Sequence, residues 1–336
     1  MAELILDRYR PLALIGSGGQ ADVVVAFDEQ MKRRVAIKTV ELDAFASQAS
    51  ALEEARTAAM LNHPNIATMY DFAVEAGRAY LIMEYVDGVD VNDIASEDLT
   101  DEIIAAVARD VGDALAFAHK NGVLHLDIKP ANLVVDHEGR VKIIDFGVSA
   151  LSQATGSPTA AAGTIGYMPI EQLAGAAVGP ATDEWAYAAV IYELLSDEFP
   201  YEEAYLQAQR VPRRSHVPDP LTLMRTIQAQ GEPELLLTGN DELDAVLAKA
   251  LSRDPSERFE TVRKLKAALA KTLPPPKSGR TQLARLVGTV TDDDVEYALE
   301  QVERARPRPF AGCFAVLAIG LVTVGALVTA VANAVG

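Results

Sequence analysis

The chain has 336 residues, enough to bury a core in one large domain or two modest ones without a covalent staple. Its single cysteine excludes an intramolecular disulfide framework and fits a reducing compartment. A formal net charge of −18 repels phosphate backbones overall, which argues against nucleic acid as a partner.

Residues 9–15, 21–28 and 34–40 are short β-branched runs separated by Gly, Asp and Lys/Arg turn signals, and they predict three strands. Residues 45–61 carry Ala, Leu, Glu and Met and predict a helix. His63-Pro64-Asn65 ends it, because proline disfavours the helical conformation of the residue before it. Two more strands are expected over 66–74 and 79–86, joined by a turn at Gly77. Past Asp87-Gly88 the pattern turns helical. Thr100 can cap a helix whose first turn holds Asp101 and Glu102, with Ile104, Val107, Val111 and Leu115 as its apolar stripe. Asn121-Gly122 stops it. Further helices are expected over 182–196, 241–252 and 259–271, and Pro274 to Pro276 mark the end of the domain. Residues 200–240 show no clear pattern. The resulting expectation is an α+β fold, a small β-rich lobe over 9–87 and a larger helical lobe over 88–271, hinged near 85–88.

The C-terminal stretch differs. Residues 310–336 contain no charge and are dominated by Leu, Val, Ile, Ala and Gly, which predicts a transmembrane helix over 310–333. A buried core helix fits less well, because such a helix seldom runs so long without a charge at an exposed edge. Arg304, Arg306 and Arg308 precede the run, so the bulk of the chain is expected on the cytoplasmic side of a single-pass anchor in the cytoplasmic membrane. The lipid bilayer is then a partner. Residues 1–8 form a short extension without signal-peptide character, and 272–309 a juxtamembrane segment.

Three groups of residues suggest chemistry. Gly16-Ser17-Gly18-Gly19-Gln20-Ala21-Asp22-Val23 lies between two predicted strands, where glycines let backbone N–H groups approach phosphate oxygens. No Gly-Lys-Ser/Thr follows, so it is not a Walker loop, and a plain glycine-rich hairpin would look the same. Val35-Ala36-Ile37-Lys38 ends an apolar strand in a lysine; reaching solvent is the commoner fate of such a residue, whereas a buried one needs a partner. Then come His125-Leu126-Asp127-Ile128-Lys129-Pro130-Ala131-Asn132 and Lys142-Ile143-Ile144-Asp145-Phe146-Gly147. Phosphoryl transfer needs positioning, neutralised phosphate charge and an acceptor for a hydroxyl proton. Two aspartates, a lysine and an asparagine supply all three. Any one of these residues alone reads as a solvated loop; their order and number do not.

With these motifs in place, the chain resembles the protein kinase family, most closely the eukaryotic-like serine/threonine kinases of bacteria, over residues 9–270. The resemblance implies a two-lobed kinase fold with ATP and Mg²⁺ in the cleft and protein Ser/Thr hydroxyls as substrates. It implies that Gly16, Gly18 and Val23 belong to the loop over the ATP phosphates, that Ile15 and Ser17 also bind ATP, and that Lys38 holds the α- and β-phosphates, paired with Glu54, which fits the spacing to His63-Pro64-Asn65 better than the alternative Glu53. Val23, Ala36 and Leu133 would enclose the adenine, Met83 would act as gatekeeper, and the backbones of Glu84 and Val86 would bind the adenine edge. Asp127 would be the catalytic base, Lys129 would reach the γ-phosphate, and Asn132 and Asp145 would hold Mg²⁺. Thr164 in Gly163-Thr164-Ile165-Gly166-Tyr167-Met168-Pro169-Ile170-Glu171 would bridge Asp127 and Lys129, a mark of Ser/Thr specificity. Glu171 would pair with Arg258, and Asp183 would cap the catalytic loop. The resemblance also allows a homodimer through the upper lobe.

Three departures stand out: Ala21 where the family usually has a third glycine, Pro169 one place from its usual position, and Leu126 where an arginine usually clamps a phosphorylated residue. The principal expectation is an active serine/threonine protein kinase. The alternatives are a membrane-anchored pseudokinase scaffold that binds nucleotide, and a small-molecule kinase, which the protein-substrate groove implied by 163–171 disfavours.

Overall fold

The computed structural model describes residues 4–18, 21–41, 59–146, 165–210, 219–234 and 236–288. The upper lobe is one antiparallel sheet built from β1 (Tyr9–Gly18), β2 (Ala21–Asp28), β3 (Arg33–Glu41), β4 (Met69–Glu75) and β5 (Arg78–Glu84), in the order β1-β2-β3-β5-β4. The first three strands lie where the β-branched runs predicted them. The β4–β5 turn uses Ala76 and Gly77 at φ +49° and +78°, the left-handed pair that matches the twist of a tight hairpin.

The strand expected from residue 66 starts later, at Met69. Ile66 instead makes a parallel bridge to Ile143, and Ala67 N–H donates to the Ile143 carbonyl at 2.9 Å. That segment belongs to the junction between the lobes, a long-range pairing that local periodicity does not reveal.

The lower lobe opens with β6 (Gly88–Asp90), which joins β7 (Leu133–Asp136) and β8 (Val141–Ile143) in a three-stranded sheet. Numbered along the described residues, its helices are α1 (Asp101–Lys120), α2 (Ile170–Leu173), α3 (Pro180–Ser196), α4 (Glu202–Arg210), α5 (Pro220–Gln230), α6 (Asp241–Ala250), α7 (Val262–Thr272) and α8 (Pro276–Gly288). Thr100 caps α1 by accepting from Ile103 N–H at 3.3 Å, and the predicted stripe Ile104, Val107, Val111 and Leu115 is wholly buried. Helix α3 is the axis of the lobe: Thr182 through Tyr192 are all buried, and the Tyr187 hydroxyl donates to the Ala108 carbonyl of α1 at 2.5 Å. From Trp185 to Ile191 every side of the helix is buried, as in a helix that runs through a core.

Two stretches differ from the sequence-based expectation. Within residues 200–240, unpatterned in sequence, the described residues include α4 and α5, the latter capped by Asp219 accepting from Thr222 N–H at 3.0 Å. Beyond Pro274, where the domain was expected to close, α8 lies along α1 with Gly279, Leu283 and Val287 buried. Among the described residues no helix is long and apolar enough to cross a membrane. The predicted span over 310–333, most of the predicted helix over 45–61 and residues 289–309 lie outside the described residues.

Candidate active site

The site is assembled from the upper-lobe sheet and from two lower-lobe segments, the loop from His125 to Leu133 and the residues just past β8. Antiparallel register puts Val23 opposite Lys38, Lys38 opposite Leu81, and Ala36 opposite both Val25 and Met83. Residues directly opposed share a face, and so do residues two apart in a strand. Val23, Ala36, Lys38, Leu81 and Met83 therefore line one face of the sheet. Ala36 and Met83 are buried together in one cluster, while Leu133 lies in the lower-lobe core. Ile15 sits at a register shift between Leu14 and Gly16 and is 39% exposed; the backbone of Gly16, Ser17 and Gly18 pairs with Val23, Asp22 and Ala21.

Glu84 and Val86 mark the junction of the lobes. The Glu84 N–H donates to the Thr68 carbonyl at 2.8 Å, and its carboxylate accepts from Thr68 N–H at 3.1 Å and from Lys142 Nζ at 2.6 Å. Lys142 stands in β8, so this ion pair crosses from the upper to the lower lobe. In the sequence Lys142 opens the motif that ends in Asp145-Phe146-Gly147, but nothing there gives it this partner. The available signal was its place between the buried Val141 and Ile143, a lysine forced onto the opposite face of a two-sided strand.

The loop that carries Asp127 is held by hydrogen bonds from several elements. Asp183, buried at the start of α3, accepts from His125 N–H at 2.8 Å and from Leu126 N–H at 2.6 Å, as the resemblance implied. The Leu126 carbonyl accepts from Gln172 Nε2 at 2.8 Å. These bonds hold Leu126 at φ +64°, a left-handed conformation that costs a non-glycine residue about 1 kcal/mol. His125 Nδ1 accepts from Asp127 N–H at 3.2 Å, which leaves the ring proton on Nε2 to donate to the Ile144 carbonyl at 2.9 Å. Its ring meets Phe146 edge-on at 4.6 Å.

Within this frame Lys129 Nζ lies 2.9 Å from Asp127 Oδ2, and Asn132 Nδ2 donates to the Asp127 carbonyl at 2.7 Å and to Oδ2 at 3.1 Å. The Asn132 carbonyl accepts from Ile144 N–H at 3.0 Å, which brings Asp145 beside the loop. Asp145 has φ +67°, and its Oδ2 holds Lys38 Nζ at 2.7 Å across the cleft. Burial pushes the Asp145 carboxyl up, but the charge and hydrogen bond of Lys38, helped by His125 and Lys129, outweigh it and hold it below the usual range. Asp90, in β6 opposite Val134, is a titratable group that sequence reasoning passed over; burial, and then the charge of Asp93, push it up to about 7.

The structure thus brings Lys38, Asp127, Lys129, Asn132 and Asp145 together, around two lysine cations, two carboxylates and an amide oxygen. Lys38, expected to pair with Glu54, is paired here with Asp145; Glu54 and Thr164 lie outside the described residues. The oxygen donors of Asn132 and Asp145 suit a hard cation such as Mg²⁺. Lower down, Arg258 and Glu171 form a two-pronged buried pair at 2.7 and 3.0 Å.

A family model described as a protein kinase domain matches residues 9–269. The chain is 33% identical over 280 residues to the serine/threonine-protein kinase PknB of Mycobacterium tuberculosis strain H37Rv, covering 79% of this chain and 43% of that protein. It is 32% identical over 277 residues to PknB of Mycobacterium leprae, covering 78% and 42%. It is 30% identical over 272 residues to the serine/threonine-protein kinase PrkC of Bacillus subtilis, covering 78% and 40%. The match therefore spans less than half the length of these relatives.

Proposed function

The chain belongs to the protein kinase family, and from that premise we propose that it is a serine/threonine protein kinase transferring the γ-phosphoryl group of ATP to protein hydroxyls. The single observation that carries this reading is the gathering of Asp127, Lys129 and Asn132 in one hydrogen-bonded loop, with Asp145 beside it and Lys38 reaching across the cleft at 2.7 Å. Asp127 accepts the proton of the substrate hydroxyl as its oxygen attacks the γ-phosphorus, and the bond from that phosphorus to the leaving ADP oxygen breaks. Lys129 stabilises the γ-phosphoryl oxygens. Lys38 holds the α- and β-phosphates, released from Asp145 or shared with it, and Glu54 is the carboxylate that would steady it. Asn132 and Asp145 would hold Mg²⁺, which would supply neutralisation of the phosphate charge. Ile15, Gly16, Ser17, Gly18, Val23, Ala36, Met83 and Leu133 enclose the nucleotide, and the backbones of Glu84 and Val86 bind its adenine edge. Thr164 bridges Asp127 and Lys129.

Residues 310–333 act as a single-pass anchor in the cytoplasmic membrane in this reading, supported by their uncharged apolar run and the arginines before it. Recovery of the full chain in an alkali-washed membrane fraction tests that.

The test of the activity is Mg²⁺-dependent transfer of labelled γ-phosphate by the full chain to a generic protein substrate, beside Lys38→Met and Asp127→Asn. Label on seryl or threonyl groups, lost in both variants, is expected. Nucleotide binding without any transfer would replace the enzyme with a nucleotide-binding scaffold.

A further inference from the structure

The β7–β8 hairpin carries both proposed magnesium ligands: Asn132 directly precedes β7, and Asp145 lies two residues past β8. The far end of the hairpin rests on α8, a helix beyond the matched stretch of 9–269. Gly139 forms the hairpin turn at φ +70°, and a Cβ there would fall 2.0 Å from the Arg280 carbonyl oxygen and 2.8 Å from the Ala284 nitrogen. The turn thus touches the backbone of α8. Helix α8 in turn lies backbone to backbone on the first turn of α1, since a Cβ on Gly279 would fall 1.7 Å from the Glu102 carbonyl oxygen. Gln282 fastens the same turn by accepting from the Thr100 hydroxyl at 2.8 Å.

Between these contacts runs a line of charge. Arg280 Nη2 lies 2.9 Å from both oxygens of Asp110, a carboxylate only 1% exposed. Asp110 Oδ2 accepts from Val141 N–H, the first residue of β8, at 3.1 Å. Arg109 takes Oδ1 at 2.7 Å. The Val141 carbonyl then accepts from Asn65 Nδ2 at 2.8 Å, and the Asn65 carbonyl from Ile143 N–H at 2.9 Å.

We propose that α8 positions the β7–β8 hairpin for phosphoryl transfer, with Arg280 acting through Asp110 on β8 as a positioning residue for Asp145. The proposal rests on the reading of Asn132 and Asp145 as magnesium ligands. Without Arg280, Asp110 is drawn toward Arg109 alone, its bond to Val141 N–H loosens, and the hairpin loses one of its two supports on α8. Groups behind a metal ligand set its orientation, and a small misplacement is felt at the reacting atoms.

The test uses the full chain as wild type, Arg280→Met, Arg280→Lys and Gly139→Ala, with Leu247→Ala in α6 as a stability control away from the hairpin. Binding of a fluorescent ADP analogue is titrated against Mg²⁺, alongside thermal unfolding. Arg280→Met and Gly139→Ala are expected to raise the Mg²⁺ concentration for half-maximal binding about three- to tenfold. Arg280→Lys should recover part of the loss, and Leu247→Ala should lower the melting temperature without moving the titration. An Arg280→Met titration matching wild type overturns the proposal, as does an equal shift from Leu247→Ala or wild-type binding that ignores Mg²⁺. Wild type that binds nucleotide with Mg²⁺ but transfers no phosphate defeats the kinase reading alone and leaves the positioning role standing on the titration.

Discussion

The carboxylate of Asp183 holds the backbone nitrogen of Leu126 at 2.6 Å from inside the core of the lower lobe. With its second oxygen on His125 N–H, one side chain of α3 satisfies two consecutive donors of a loop that includes a left-handed residue. The loop bearing Asp127 is therefore pinned to a helix buried from Thr182 through Tyr192.

Asp183→Asn puts an amide NH₂ against one of those donors. Losing a charged, buried hydrogen bond costs about 1.5–3 kcal/mol. The transfer rate is expected to fall about tenfold to a hundredfold while nucleotide affinity stays within about twofold. Steady-state rates beside a nucleotide titration check this, and an equal loss of affinity would contradict a role confined to the loop.

Leu126 is buried at 9% exposure, its backbone engaged by Asp183 and Gln172, and it offers no cation to a phosphate. Activity is therefore expected to depend weakly on phosphorylation between Asp145 and Glu171. Alanine at Ser149, Ser152, Thr155, Ser157 and Thr159 together should leave the rate within a few fold, and a collapse would show that another cation does the clamping.

Arg258 and Glu171 are both buried, and Arg258 also donates to the Ser252 and Ala181 carbonyls at 2.8 Å. Arg258→Met strands a buried carboxylate and should cost about 3–5 kcal/mol in urea unfolding. Adding Glu171→Met should cost much less than a second such loss. Additive costs would mean that the two residues do not depend on each other.

Glu184 is buried in α3 and accepts from Phe259 N–H at 2.7 Å. Burial pushes its carboxyl up to about 7, against the opposing pull of that N–H and of Arg258 and Lys249. The folded state thus binds this proton more tightly than the unfolded chain does. Its stabilising share is fully present below the unfolded value near 4.5 and is lost as pH rises through about 7. Between pH 5 and 7.5, wild type should lose about 2 kcal/mol relative to Glu184→Gln, which cannot titrate. Urea unfolding at both pH values measures the difference, and parallel pH dependence would place the carboxyl's titration elsewhere.

Much of this architecture was legible in the chain. The strands β1 to β3 follow from β-branched alternation and turn residues, and α1 from its cap, stripe and stop, because each pattern lies within one element. The residues of the site stood out because their types and order are chemically specific, and the Asp183 and Arg258 contacts followed from resemblance. Residues 200–240 were opaque because α4 and α5 bury only part of their surface, so their apolar periodicity is broken by exposed polar positions.

The sequence by itself determined the two-lobe division and the family, and it singled out the candidate site residues, since these depend on local periodicity and on residue type. Only the tertiary structure decided who meets whom. Lys142 bridging to Glu84, Lys38 resting on Asp145, and α8 continuing past Pro274 to carry Arg280 to Asp110 join residues 58, 107 and 170 positions apart. A glycine such as Gly279 or Gly139 reads locally as a breaker, but in the fold it is the point where two backbones touch, and only the packing of distant segments creates that demand.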